Sequence, residues 1–97
     1  MTAPRTLDDQ ALAEALAKLP GWKVVEGHLV REFRFDSFAR AFGFMTASAI
    51  EAERLDHHPD WTNCYDRVKV RLRTHTPDGL TTLDVELARR MSALAHA

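Results

Sequence analysis

The stretch GWKVVEGHLVREFRFDS, residues 21–37, decides the fold, because the spacing of its apolar residues changes inside it. Before it, Leu12, Ala15, Leu16 and Leu19 recur at the three- and four-residue spacing of a helix face. Asp8 or Asp9 is available as the cap and Pro20-Gly21 as the stop. Inside the stretch the period falls to two. Trp22 and Val24 alternate with lysine, Glu26-Gly27-His28 supplies a glycine turn, and Leu29, Phe33 and Phe35 then alternate with Val30, Glu32 and Arg34. Two alternating runs about a glycine turn predict a β-hairpin. At Asp36-Ser37 an N-cap is offered and the period returns to helical.

Working outward, Phe38, Phe42, Met45, Ala49 and Ala52 define one apolar stripe on a long helix over roughly residues 37–56. Pro59 disfavours the α conformation at His58, so this helix is expected to end at about His57. Residues 61–64 and 68–75 then read as strands of a second hairpin. Val68, Val70, Leu72 and Thr74 share one face, and Lys69, Arg71, Arg73 and His75 the other. Asp78-Gly79 reads as a turn, and Thr81-x-x-Asp84 has the form of a capping box opening a last helix with the stripe Leu83, Leu87, Met91 and Leu94. The order α-β-β-α-β-β-α predicts an α+β domain of two layers. Four antiparallel strands form a sheet, and three helices bury their stripes on one face of it. The whole chain, 1–97, is expected to be a single domain with residues 1–6 as a loose tail. The basic face of the last strand is left for solvent, a ligand or another subunit.

Composition narrows the class. Ninety-seven residues hold one domain, and 45% hydrophobic with 28% charged residues is ordinary for a globular chain. A net charge of −1 argues against a general binder of nucleic acid or anionic membrane. The single cysteine makes no internal disulfide, no apolar leader follows Met1, and no apolar run approaches the ~18 residues of a membrane span; a cytoplasmic location is expected.

The chemistry concentrates in EAERLDHHPDWTNCY, residues 51–65. Metal binding by His57, His58, Cys64 and His75 fits poorly, because the only close pair is two adjacent histidines whose side chains diverge in regular backbone. Acid–base chemistry fits better, since imidazole exchanges protons near neutrality. Glu53, four residues before His57, is placed to orient that ring if the helix persists. Pro59 holds His58 extended and aimed elsewhere, an arrangement suited to contacting two edges of a flat ligand, with Trp61 and Tyr65 nearby. Each residue has a plainer alternative. The histidines sit at the negative end of a helix dipole, Asp84 caps a helix, and His75 is an exposed strand residue beside Arg73. Trp61 and Tyr65 are core, Cys64 is a small buried hydrophobe, and Phe38 and Phe42 are core or subunit contact.

The spaced pattern Glu53-x3-His57-His58-Pro59-x5-Tyr65-x9-His75-x8-Asp84 resembles the signature of the pterin-4a-carbinolamine dehydratases. The segments AFGFMT at 41–46, LDHHPDW at 55–61 and THTPDGLT at 74–81 are similar to that family as well, as is the element order. The resemblance implies dehydration of 4a-hydroxytetrahydropterins to quinonoid dihydropterins, recycling the pterin used by aromatic amino-acid hydroxylases, with no metal or organic cofactor. It implies His57 and His75 as acid and base near C4a and N5, and His58 as a binding and orienting group. Glu53 and Asp84 would orient histidine rings, Pro59 would fix the turn, and Trp61 would wall the pocket. The implied partners are a small pterin, further copies of the chain in a dimer or tetramer, and a functional link to phenylalanine hydroxylase, without nucleic acid or membrane. A non-catalytic interaction module, or a member acting on another pterin such as in molybdopterin metabolism, is the competing expectation.

Overall fold

The computed structural model of the chain describes residues 3–96. The elements are α1 (Asp9–Ala17), β1 (Lys23–Val25), β2 (His28–Arg34), α2 (Phe38–Leu55), β3 (Asp60–Cys64), β4 (Arg67–Leu72), β5 (Thr74–His75), β6 (Asp78–Gly79) and α3 (Thr82–Ala95). Strands β1 to β4 form an antiparallel sheet in the order β1-β2-β4-β3, so the two hairpins meet along β2 and β4. The turn joining β1 to β2 places Glu26 and Gly27 at φ +50 and +78, the paired positive values of a hairpin turn whose twist matches its strands.

One face of the sheet is covered by the helices. Leu29 and Phe33 of β2 and Val68, Val70 and Leu72 of β4 are buried there. With them lie Ala41, Phe44 and Ala52 of α2, Leu87, Ala88 and Met91 of α3, and Leu16 and Leu19 at the end of α1. Val68, Val70 and Leu72 are wholly buried, each worth about 1.5–3 kcal/mol in transfer from water. Phe33 organises the aromatic part of the core, its ring 4.7 Å from that of Phe44 and 5.8 Å edge-on from Trp22. The helix starts follow local chemistry. Asp8 caps α1 by accepting from Ala11 N at 2.7 Å, and Ser37 caps α2 by accepting from Arg40 N at 3.1 Å. Among the described residues no helix is long and apolar enough to cross a membrane.

Three expectations need correction. The buried stripe of α2 is Ala41, Phe44, Ser48 and Ala52, whereas Phe38, Phe42 and Ala49 face outward and Met45 is half-buried. Both stripes are apolar in sequence; the one with three small residues admits close approach to α3 and the sheet, and Phe44 alone fills the space toward Phe33 and Phe35. The last strand stops at Leu72, and Thr74–His75 pairs instead with Asp78–Gly79 in a separate small hairpin. The tail is also not loose throughout. Leu7 N donates to Leu80 O and Thr82 N to Arg5 O, both at 3.0 Å, so residues 5–7 are pinned to the approach to α3 by backbone bonds that no side-chain pattern announces. Met1 and Thr2 lie outside the described residues.

Candidate active site

Helix α2 ends at Leu55, two residues before the end at His57 that Pro59 would allow. Asp56 takes a left-handed conformation at φ +50; its N–H bonds to Glu53 O at 3.1 Å, and the next N–H, of His57, reaches back to Ala52 O at 3.0 Å. These two bonds are the pair that closes a helix C-terminus through a left-handed residue. They turn the chain sharply, so that His57 leaves the helix surface and enters the interior.

There His57 meets Asp84. The His57 Nε2 to Asp84 Oδ1 distance is 2.6 Å; the carboxylate is wholly buried and the histidine 8% exposed. Asp84 sits in the first turn of α3, where its other oxygen serves two groups, accepting from Thr81 N at 2.9 Å and from Thr74 Oγ1 at 2.8 Å. The capping box is therefore present, with Thr81 Oγ1 also accepting from Leu83 N at 3.2 Å. Capping occupies one carboxylate oxygen and leaves the other for the histidine. Asp84 thus both caps α3 and hydrogen-bonds to His57.

His58 is paired separately. Its Nε2 lies 2.5 Å from Glu53 Oε1, with both side chains more than half exposed. Glu53 thus belongs to His58 and not to His57, a correction that follows from the helix ending at Leu55: beyond Asp56 the spacing of four no longer places side chains one above the other. His75, exposed, occupies β5 immediately after Thr74, and so lies one residue from the Asp84 network. Arg73 steadies that approach by donating to Gly27 O at 2.8 Å and to Asp78 Oδ1 at 3.0 Å. The end of α2, β5 and the start of α3 meet through the hydrogen bonds of His57 and Thr74 to Asp84.

The remaining candidates separate. Pro59 is half-buried between His58 and β3. Trp61 is half-buried on the core-facing side of β3, packed against the hydrophobic cluster. Cys64 is exposed rather than buried, accepting from Arg67 Nη2 at 3.7 Å. On edge strand β3, Trp61 and Asn63 turn toward the core side, which sends Asp60, Thr62 and Cys64 to the helix-free face. Tyr65 is 66% exposed at φ +53 in the turn after β3, so it is not core and sits a strand's length from the histidines. Among the described residues no three His, Cys, Asp or Glu side chains are grouped to hold a metal ion. A cleft of about 440 Å³ lies on the helix-free face of the sheet, lined by Lys23, Val25, Glu26, Val30, Glu32, Lys69 and Arg71 and by none of the paired histidines. Thr74 and Thr81 are the polar neighbours that sequence reasoning missed as site residues. The signal available was that Thr74 shares the buried face of Val68, Val70 and Leu72, where a hydroxyl needs a partner.

The two-layer α+β fold carries two histidine–carboxylate pairs, His57–Asp84 buried and His58–Glu53 exposed. The family model described as pterin 4 alpha carbinolamine dehydratase matches residues 5–94, and the chain belongs to that family. A Brucella ovis protein, named provisionally as a pterin-4-alpha-carbinolamine dehydratase, is 47% identical over 95 residues, covering 96% of this chain and 98% of that one. A crystal structure from Brucella melitensis, described as a transcriptional coactivator/pterin dehydratase, superposes with TM-score 0.90 at 46% identity and covers 94% of this chain and 99% of that one. A more distant structure, TM-score 0.64 at 25% identity over 78% of this chain and 88% of its own, is of a pterin dehydratase-like protein identified as a RuBisCO assembly factor in the alpha-carboxysome.

Proposed function

We propose that this chain dehydrates 4a-hydroxytetrahydropterins to quinonoid dihydropterins by histidine acid–base catalysis. The observation that carries the reading is the buried His57–Asp84 pair at 2.6 Å, set beside the exposed His58 and His75 in a chain of this family. In the reaction the C4a–O bond breaks with its electron pair leaving on oxygen, which takes a proton from an acid and departs as water. The N5–H pair forms the new C4a=N5 bond, and its proton passes to a base. No electrons leave the system. An imidazole held against a carboxylate serves either step, because the carboxylate stabilises the imidazolium and fixes the ring. His57 and His75 are assigned to the two proton transfers. His58, turned by Pro59 and held by Glu53, is assigned to binding and orienting the pterin, with Trp61 as a wall. General acid–base help of this kind supplies about 10²–10⁴-fold per group.

The test is a hydroxylase-coupled assay in which the carbinolamine absorbance decays. Added protein is expected to speed the decay. His75→Ala is expected to lower kcat and His58→Ala chiefly to raise KM. Decay no faster than in buffer overturns the reading, and full activity of the His75→Ala variant overturns that residue's role.

A second reading, an assembly or interaction role, is favoured by the outward face of α2. Phe38, Phe42 and Ile50 are about half exposed there, the two rings 5.7 Å apart. The description of the distant structure as an assembly factor is in keeping with such a role.

A further inference from the structure

We propose that Thr74 and Thr81 are positioning residues for His57: their hydroxyls form a one-way proton chain that anchors Asp84 and thereby makes Nδ1 the working nitrogen of the His57 ring. The assignment follows from counting donors. An ionised carboxylate only accepts, so the 2.8 Å contact between Thr74 Oγ1 and Asp84 Oδ2 consumes the single hydroxyl proton of Thr74. Thr74 then has no proton left for the 2.7 Å contact with Thr81 Oγ1, and Thr81 must be the donor there. Thr81 Oγ1 in turn accepts from Leu83 N. The direction is fixed from end to end, from the Leu83 amide through both hydroxyls to the carboxylate, and such chains polarise and strengthen each member.

With Oδ2 filled by Thr74 Oγ1 and Thr81 N, Oδ1 is the oxygen presented to His57. The ring meets it through Nε2, so Nε2 carries the proton in the neutral ring, and Nδ1 is left to take or give one. The other tautomer would set the unprotonated Nε2 lone pair against Oδ1 at 2.6 Å. Burial of His57, Thr74, Thr81 and Asp84 leaves little water to substitute for a lost partner. The hydroxyls touch no substrate in this scheme; they hold the carboxylate that holds the ring. The assignment rests on the dehydratase reading only for its rate measurement.

The experiment is nitrogen NMR of the histidine rings in the full-length ¹⁵N-labelled protein at mildly alkaline pH, with His57 assigned by the loss of its signals in His57→Gln, together with steady-state kinetics. The wild type is expected to show the Nε2–H tautomer, and Thr74→Ser to retain it with near wild-type kcat. Thr74→Val, which keeps the shape and removes the donor, is expected to mix the tautomers and to lower kcat about tenfold at unchanged KM. An Nδ1–H tautomer in the wild type overturns the proposal whether or not Thr74→Val folds. A folded Thr74→Val with wild-type tautomer and kcat also overturns it. A wild type that shows the Nε2–H tautomer, held by Thr74→Ser and disturbed in Thr74→Val, but no dehydratase activity, supports the hydrogen-bond assignment and removes the catalytic reading alone.

Discussion

The side chain of His57 is buried against Asp84, while that of His58, one residue on, stands in solvent beside Glu53. The two pairs differ more in energy than in geometry. Removing Asp84 leaves buried donors on Thr81 and Thr74 without a partner, along with His57 Nε2. Asp84→Ala is therefore expected to lower stability by about 3 kcal/mol in denaturant unfolding, against less than about 1 kcal/mol for Glu53→Ala at the exposed pair. Equal losses would contradict the separation of roles. Ser48 offers the opposite case. Its hydroxyl is wholly buried in α2 and, among the described residues, is the one buried side-chain polar atom without a hydrogen-bond partner. Ser48→Ala is expected to raise the unfolding free energy by about 1 kcal/mol, and a loss of stability would show that the hydroxyl has a partner after all. The histidines and carboxylates that pair here stood out as candidates in the sequence, through their clustering and the family resemblance. Which carboxylate serves which histidine was not, because it turns on Asp56 adopting a left-handed conformation, and an aspartate there gives no signal as plain as glycine would.

At the scale of elements, the first hairpin was legible because Gly27 and the alternation around it leave one arrangement. The buried side of α2 was not, because apolar residues occupy both of its sides and periodicity alone does not choose between Phe38-Phe42 and Ala41-Phe44-Ser48-Ala52. Packing chooses: small residues go where α3 and the sheet come close, and large rings are left outside. The same limit misplaced Cys64, since a strand's period of two identifies alternate faces without saying which face is the core. The small β5–β6 hairpin was read as strand end and turn, yet it carries Thr74 into the Asp84 network and sets His75 beside it.

For the whole molecule, the outward rings of α2 are the feature a lone chain does not explain. A domain of this size buries only somewhat over ~60% of its unfolded surface, so covering Phe38, Phe42 and Ile50 against another copy adds stability it otherwise lacks. Light scattering at micromolar concentration is expected to give a multiple of the chain mass, and Phe42→Glu to shift it to a smaller species without unfolding. A strictly monomeric wild type would contradict self-association through this face. Assembly and catalysis are separable in this scheme, because the histidines leave the far end of α2 from Phe38 and Phe42. The central claim concerns the histidines, and its most direct measurement is the first-order decay of a 4a-hydroxytetrahydropterin against protein concentration for the wild type and His57→Ala. The account predicts a rate constant that rises in proportion to wild-type protein, with a slope at least about 10²-fold smaller for a folded His57→Ala. Equal slopes for the two proteins, or a wild-type slope of zero, would contradict it.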